Sequence, residues 1–572
     1  MIQSTDGENR WDLVIATTTD YDCVLIYHDA TKHHPHRYAK SLGYLDWATQ
    51  PSPFRRFHGA PLVPLLTGPF GHEPTYGALF DPDSTSAQPV TRRSISALLE
   101  CSLGLSAWKA YGTSTWALRC NPSSGNLHPT EGYLLFGPVA GIGEQPALYH
   151  YAPKEHVLEK RHEVTPDAWN SLMAPLGQDM FLVGLTSILW REAWKYGERA
   201  FRYCQHDIGH ALAALRLAAA MLGWQLTIIE HLGDSDIAHL LGLDRADDFS
   251  DGESEEPELM AIVSPNGDPR PPGTIECSAL GHLADGSWEG KANRLSSDHV
   301  QWDIIDMVRD ATKKPRTEPE AHTRASAGDS QERPEHSADP TARRVIIQRR
   351  SATDFDGRTS IPRATFYAML TRVLPTQTAP FDAISWPPAI HLLMFVHLVD
   401  DLAPGLYVLA RNSAKVAELR ASMKSDFAWT PASECPSGLP LHLLLPADCR
   451  RAAAQLSLGQ AIAGDSAFSF AMVAEFENSL QRWGPWFYRR LFWEAGMIGQ
   501  VLYLEAESAG IRAGNSLRAT GIGAYFDEAV HEVFGLSGHR YQSLYHFTLG
   551  GAVDDPRLTT RPPYDEKIND RS

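Results

Sequence analysis

No C-x-x-C pair occurs in this chain of 572 residues, and its seven cysteines (Cys23, Cys101, Cys120, Cys204, Cys277, Cys435 and Cys449) are scattered. That excludes a disulfide framework and a zinc site of paired thiolates, and it is the pattern of a reducing compartment. Positive charge is scarce: 51 Lys and Arg stand against 69 Asp and Glu, a formal net charge of −18. Such a surface repels nucleic acid and anionic membranes, so neither is expected as a partner. Long hydrophobic runs are missing too. The longest, Ala211–Trp224, is broken by Arg216 and is too short to span a bilayer. The opening M-I-Q-S-T-D-G-E-N-R carries no apolar stretch of the kind a secretion signal needs, so a cytoplasmic protein is expected. A G-x-G-x-x-G dinucleotide cradle is also lacking.

What is present can build cores, with 43% hydrophobic and 10% aromatic residues over a length that fits two domains. His33, His34 and His36 cluster near the start, but Pro35 interrupts them and no carboxylate or cysteine follows at ligand spacing. A basic loop or a contact between domains is expected there rather than a metal. The periodicity predicts a helix over Ile95–Leu105 and strands over Gly132–Phe136, Ala147–Tyr151 and Phe181–Ile188. From about Glu198 to Leu222 a long helix is apolar around most of its girth and must be buried on every side, with Gly223 suited to a left-handed cap.

The most chemically loaded stretch is Arg119–Tyr133, R-C-N-P-S-S-G-N-L-H-P-T-E-G-Y. Pro122 fixes φ, Gly125 permits close backbone approach, and Ser123, Ser124 and Asn126 can both donate and accept. A loop of this kind, at the lip of an apolar strand, can present several polar groups to a flat heterocycle. A second candidate lies at V-I-I-Q-R-R-S-A-T-D-F-D-G-R, where an apolar helix ends in Arg349, Arg350 and Ser351. Guanidinium forks match phosphate oxygens, and the serine adds a donor.

An internal repeat ties the two regions together. A shift of 287 residues lays Gly197 on Gly484, Arg202 on Arg489, Gly209 on Gly496, Leu215 on Leu502 and Gly223 on Gly510. A second central helix is therefore expected at about Leu491–Ala509, and the chain reads as a duplicated domain. Between the copies, Lys313–Arg344 has almost no large apolar residues and cannot offset its own ordering entropy. The expected organisation is a first domain over 1–310, a disordered linker over 311–343 and a second domain over 344–572.

The Pro122–Pro129 loop resembles the P-S-S-x-N-x-x-P segment of the nitroreductase superfamily, and its fuller form is most similar to the azoline dehydrogenase branch, the SagB/ThcOx type. Lys195–Tyr196 match that branch's catalytic Lys-Tyr pair, a base and a proton donor. The resemblance implies an α+β, mostly antiparallel fold that binds FMN at the interface of a symmetric dimer, here fused into one chain as an intramolecular pseudo-dimer. It implies that Arg119, Pro122, Ser123, Ser124, Asn126 and His128 attend the flavin ring. Arg349, Arg350 and Ser351 would grip the phosphate, although Thr353 stands where the family often has a basic residue. Gly521, Ile522 and Gly523 would pass close to the ring, with Arg557 and Arg561 near the phosphate end. The second half offers only I-S-W-P-P-A-I where the loop should fall, and Arg92-Arg93-Ser94 lacks the following F-x-G. One FMN per chain is expected, acting in a dehydrogenase on a small-molecule or modified-peptide substrate. Two alternatives stay open: an NAD(P)H-dependent reductase of nitro compounds, quinones or enones, and a scaffold in a peptide-maturation complex.

Overall fold

The computed structural model describes residues 18–564 apart from 72, 178, 266–274, 276–279, 282, 284–285 and 319–338. In the first half, besides the short antiparallel pair Phe57–His58 and Lys291–Ala292, the strands are β1 (Leu62–Pro64), β2 (Leu105–Tyr111), β3 (Ser114–Arg119), β4 (Thr130–Phe136), β5 (Ala147–Ala152), β6 (Val157–Glu163), β7 (Phe181–Ser187), β8 (Gln225–Ile228) and β9 (Glu256–Ser264). Seven of them form an antiparallel sheet in the order β1-β6-β5-β4-β7-β9-β8. In the second half β10 (Ile390–Val396), β11 (Gly405–Leu409), β12 (Thr430–Pro431), β13 (Leu441–Pro446), β14 (Phe468–Glu475), β15 (Leu517–Ile522) and β16 (Tyr541–Gly551) form another, in the order β12-β13-β11-β10-β14-β16-β15. Apart from the edge strand, first in one half and third in the other, the two sheets are wired alike. This is the duplicated α+β fold expected from the sequence.

The strands read as nearly unbroken apolar runs because both faces of each sheet are covered. Along β4, Leu134 and Phe136 face the central core while Tyr133 and Leu135 face an outer cluster of the first half. Along β10, Leu392, Met394 and Val396 face that same central core, and Leu393 and Phe395 face the second half's own cluster. A period of two thus sorts each strand between a shared interior and a private one.

The shared interior is built on two long helices, Ala200–Met221 and Phe487–Ala513, buried along almost their whole length. They cross at Gly209 and Gly496. A Cβ on Gly209 would strike the Trp493 carbonyl oxygen, and one on Gly496 would strike that of His206 and come within 2.9 Å of the Gly209 Cα. The repeat register therefore becomes a physical contact: the two glycines that align in sequence meet at the pseudo-two-fold axis.

The ends of the chain also cross between halves. The helix Asp20–Ala30 brings His28 Nε2 to 2.9 Å from Gln542 Oε1, and Lys32 donates to Glu528 at 2.6 Å. The His33 backbone N–H donates to Asp527 at 2.9 Å, so the histidine-rich segment is a contact between halves. At the other end, β17 (Thr559–Arg561) pairs with β2 of the first half to make a three-stranded sheet, β17-β2-β3.

Three expectations need correction. The first helix runs over Arg92–Glu100 and stops short of Leu105. Gly104 turns the chain there, donating its N–H to the Leu99 carbonyl at 2.8 Å, and Leu105 opens β2. The second central helix is four residues longer at each end than the repeat suggested. The linker is narrower than 311–343, because both of its ends are docked. Lys314 donates its backbone N–H to Asp234 and its ammonium to the Leu232 carbonyl, both at 3.0 Å, and Arg343 pairs with Glu100 at 2.8 Å. Its middle, 319–338, lies outside the described residues.

The crossing sets the first expected outcome. Gly209→Ala should destabilise the protein by about 1–3 kcal/mol, since the added methyl meets backbone that cannot yield without moving a helix. Gly514→Ala, with nothing within 4 Å of its Cβ, bears only the cost of its positive φ. Denaturant unfolding of the two variants should rank Gly209→Ala as the worse, and equal midpoints would remove the crossing from its central place.

Candidate active site

The loop between β3 and β4 is held by its own side chains. Gly125, Asn126 and His128 have φ of 60°, 61° and 53°, three left-handed residues within four, which Gly, Asn and His tolerate best. The Ser123 hydroxyl accepts the His128 N–H at 2.8 Å, and the Asn126 amide donates to the Ala117 carbonyl at 2.9 Å. Asn126 Oδ1 lies 3.0 Å from His128 Nε2. Arg119 is buried and donates to the carbonyls of Pro53 and Thr130. Arg119, Asn126 and His128 thus shape the loop from within; Pro122 anchors it, and Ser123, Ser124 and exposed Gly125 form its outward edge.

Beneath the loop runs a buried charge chain. Arg191 donates to the His128 carbonyl at 2.7 Å and pairs with Glu131. His150 lies between Glu131 (3.2 Å) and Glu159 (2.9 Å). Burial pushes the His150 imidazole down, but the two carboxylates outweigh it and lift the group to about 9.

Lys195 and Tyr196 end the helix Leu189–Tyr196 rather than leading into the next one. Adjacent residues on a helix do not share a face, yet these two converge. Lys195 Nζ and Tyr196 Oη lie 3.0 and 2.6 Å from the point a Cβ on Gly125 would occupy. The convergence is possible because Gly197 breaks the helix at φ 54°, with Lys40 and Ser41 of the N-terminal arm crossing where its Cβ would be. The Lys195 ammonium lies 5.2 Å from the Tyr196 ring centroid, and Tyr196 rests on Tyr203 at 4.5 Å. Burial, then the nearby Glu192 carboxyl, push the Tyr196 hydroxyl well up.

Two further acids close the site from below. Asp207 Oδ1 accepts the Ser124 N–H at 3.1 Å and its hydroxyl at 3.3 Å. Glu192 is fully buried one helical turn from Lys195, and neither of its oxygens forms a well-made hydrogen bond among the described residues. Burial raises both carboxyls, and the presence of Asp207 raises Glu192 further. The pair therefore holds protons under conditions in which exposed acids have lost them.

The second half supplies the facing wall. Arg349 ends the helix Ala342–Gln348 and donates to the Arg119 carbonyl at 2.8 Å, which ties the two candidate motifs together directly. The Tyr503 hydroxyl accepts from Ser351 Oγ and from the Gly521 N–H, each at 3.0 Å. Arg350 donates to the Ile347 and Arg349 carbonyls at 2.7 Å and reaches Ser106 of β2. Burial, then Arg349, pull its guanidinium down to about 10.

Not every expected residue arrives. The flat rings against Gly521 and Gly523 are those of Tyr545 and Tyr203, which any Cβ there would strike. Ile522 turns its side chain into the outer core, so only its backbone belongs to the site. Arg557 stays on the surface, folded onto Asp555 at 2.7 Å within its own turn, and Arg561 lies exposed in β17. Closer to Arg350 stand Lys109 on β2, which donates to Thr560 at 2.7 Å, and Arg518 on β15, which pairs with Asp554. Burial, then the charges of Arg350 and Arg518, push the Lys109 ammonium down, so these cations share one neighbourhood. Arg518 stands three residues before Gly521 on the same strand, a spacing that could have flagged it.

The donor set fits a flavin mononucleotide. Cations gather at one end, a hydroxyl- and amide-lined loop lies at the other, and buried polar atoms between them lack partners among the described residues. These include Asn121 Oδ1, His128 Nδ1, both ring nitrogens of His206, Asp207 Oδ2 and Arg349 Nε. Such atoms are satisfied in native proteins by water or a bound group. At the counterpart position the space is filled. Trp386 packs on Trp493 and under Arg490 (4.6 Å), Arg490 pairs with Glu230, and Ser385 donates to Glu230 at 2.9 Å.

The His150 chain yields a pH expectation. A group raised from an ordinary value of about 6.5 to about 9 contributes stability that is fully present below pH 6.5 and is lost as pH rises through 9. Unfolding free energy should therefore fall by a few kcal/mol between about pH 6.5 and 9.5. His150→Gln should be less stable at pH 6 and should lack that slope; an unchanged slope would place its origin elsewhere.

The comparisons with known proteins bear on this geometry. The Nitroreductase family matches residues 86–251, which include the loop, Lys195–Tyr196 and the first central helix. The putative nitroreductase of Methanocaldococcus jannaschii is 25% identical over 161 residues, covering 27% of this chain and 76% of its own length. The crystal structure of a putative nitroreductase from Anabaena variabilis superposes on 93% of this chain and 99% of its own, with a TM-score of 0.66 and 22% identity. The chain therefore has a nitroreductase-like fold, and its residues 86–251 match the Nitroreductase family.

Proposed function

We propose that this protein is an FMN-dependent oxidoreductase of the SagB-type dehydrogenase kind, holding one FMN per chain between its two halves. The observation that carries the reading is the convergence of Lys195 Nζ and Tyr196 Oη on Gly125, at the open edge of the loop. A reductase that only passes hydride needs an accessible flavin face and no such pair. When bound, FMN supplies the hydride acceptor. The chain's residues supply the rest. The Ser123–Gly125 edge of the loop would border the ring, and Arg350 and Ser351, with Lys109 nearby, would offer charge and hydrogen bonds to a phosphate. Lys195 Nζ takes a proton from the substrate carbon, Tyr196 Oη holds its own proton as a donor, and the buried Glu192–Asp207 pair stores protons behind them. A heterocycle on a small molecule or a modified peptide fits this chemistry.

The absorption spectrum and released cofactor of the purified protein test the binding part, with one FMN per chain expected. Two per chain would overturn the single site, and a colourless protein that takes up no FMN would favour a scaffold in peptide maturation. Lys195→Ala and Tyr196→Phe test the chemistry. Each should keep its flavin and lose about 10²–10⁴-fold in oxidation of an azoline-bearing model peptide. Full NAD(P)H-driven reduction of nitro compounds or quinones by Lys195→Ala, with no peptide oxidation by the parent, would assign the reductase reading instead.

A further inference from the structure

The turn that carries Lys195 and Tyr196 is bordered by the N-terminal arm, which is pinned to it at two points. At one, the Glu198 N–H donates to the Lys40 carbonyl at 3.0 Å, and Lys40 and Ser41 cross where a Cβ on Gly197 would be. At the other, Trp194 Nε1 donates to the Asp46 carbonyl at 3.1 Å, and the Trp47 ring packs on that of Trp194 at 5.6 Å. Residues 41–45 therefore run past the turn at 194–197 on which the Lys-Tyr pair sits.

Three properties set this arm apart. Exposed rings concentrate on it: Tyr38 (57%), Tyr44 (68%) and Trp47 (68%) are exposed, and among the described residues only Tyr111 adds another such aromatic side chain. Tyr38 also reaches the second half, its ring 6.2 Å from that of Phe526. Its backbone is open. Ser41, Leu42, Tyr44 and Leu45 use neither N–H nor carbonyl in a hydrogen bond among the described residues. Its charge is opposite to that of the chain. In a protein of net charge −18, residues 31–45 carry Lys32, Arg37 and Lys40, three histidines and no acid. Lys32 is matched by Asp29 and Glu528. Exposed Arg37, however, donates to the Ala30 and Asp29 carbonyls, and the exposed Lys40 ammonium stands 3.9 Å from Glu198.

Together these properties suit an extended chain. Tyr and Trp rings give contact area at little entropic cost, open N–H and carbonyl groups pair with a second backbone, and available cations match carboxylates. We propose that residues 38–47 form the docking rim of the active site and take an extended peptide segment rich in Asp or Glu, which flanks the ring presented to Lys195. Tyr44 and Trp47 hold the segment through their rings, and Arg37 and Lys40 hold its carboxylates. A second copy of this chain fits less well, because a two-fold contact sets Arg37 and Lys40 against their own like charges. The inference rests on the dehydrogenase reading for the fate of the peptide and not for its binding.

The test is calorimetric titration of the full chain with a blocked peptide of Gly, Ser, Phe and Glu that contains no heterocycle, and with the same peptide carrying Lys for Glu. The acidic peptide should bind saturably with a Kd of about 0.1 mM or tighter, added salt should weaken it, and the lysine version should bind about tenfold more weakly or worse. Tyr44→Ala should cost about fivefold or more in affinity, and Trp47→Ala should add to the loss. Tyr44 is exposed, so its variant folds normally, as unchanged thermal unfolding will show, and it decides the matter even if Trp47→Ala does not fold. Because the probe is unreactive, the readout does not depend on turnover. Peptide binding without any azoline oxidation would keep the dock and overturn the dehydrogenase reading; oxidation of a small azoline by a protein that binds no acidic peptide would do the reverse. No binding, equal binding of the lysine peptide, or an unchanged affinity in Tyr44→Ala would each overturn the proposal. So would self-association of the parent that Tyr44→Ala abolishes, which would give the arm to a second copy.

Discussion

The approach of two backbones at Gly209 and Gly496 is the contact on which the rest depends. With no side chain at either position, the central helices meet closely enough for residues on one to bond across to the other, as Trp493 Nε1 does to Gln205 at 2.7 Å. That closeness merges the inner faces of both sheets into one core. It also sets the distance at which β3 of the first half meets the Ala342–Gln348 helix of the second, so that Arg349 can reach the Arg119 carbonyl. In a dimer of separate chains this arrangement would depend on concentration; covalent fusion makes it intramolecular.

Much of this was legible in the sequence, for identifiable reasons. A helix apolar on all sides has few places to lie, so the burial of Ala200–Met221 followed from composition alone. The 287-residue register survived because glycines at a crossing cannot be replaced cheaply. The loop was legible as a cluster of groups, but the direction of each was not. Asn126 and His128 turn inward because the left-handed turn needs their side chains as internal braces, a requirement set by φ values that a sequence does not display. Arg557 was misplaced for a related reason: Asp555, two residues before it, offers an immediate partner, and local pairing outcompeted a distant phosphate end. Lys109 and Arg518 carry no signal of their own in the sequence, because each looks like the solvent-facing member of an alternating strand. The helix expected over Ile95–Leu105 failed at Gly104, where apolar spacing ran on past a turn.

Fusion also removes a constraint that symmetry imposes. In a homodimer every substitution falls on both sites, whereas here the counterpart space could fill with Trp386, Arg490 and Glu230 without cost to the loop. The central helices show the same divergence in one pair of positions. Asp207 and Glu494 align in the repeat and do the same structural task, accepting backbone N–H groups from the segment that enters β4 or β10. Asp207 takes Ser124 and Glu494 takes Ala389 at 3.0 Å. Glu494, however, is paired with Arg411, which settles its charge. Asp207 has no arginine in that role and instead faces Glu192, whose counterpart is Ser479. An ion pair on one side has become a pair of buried acids on the other, and two acids in a low-dielectric site cannot both give up their protons without mutual cost. The same position in the fold is thus part of an ion pair in one half and part of a buried acid pair in the other. The acid pair lies on the side where Lys195 and Tyr196 converge.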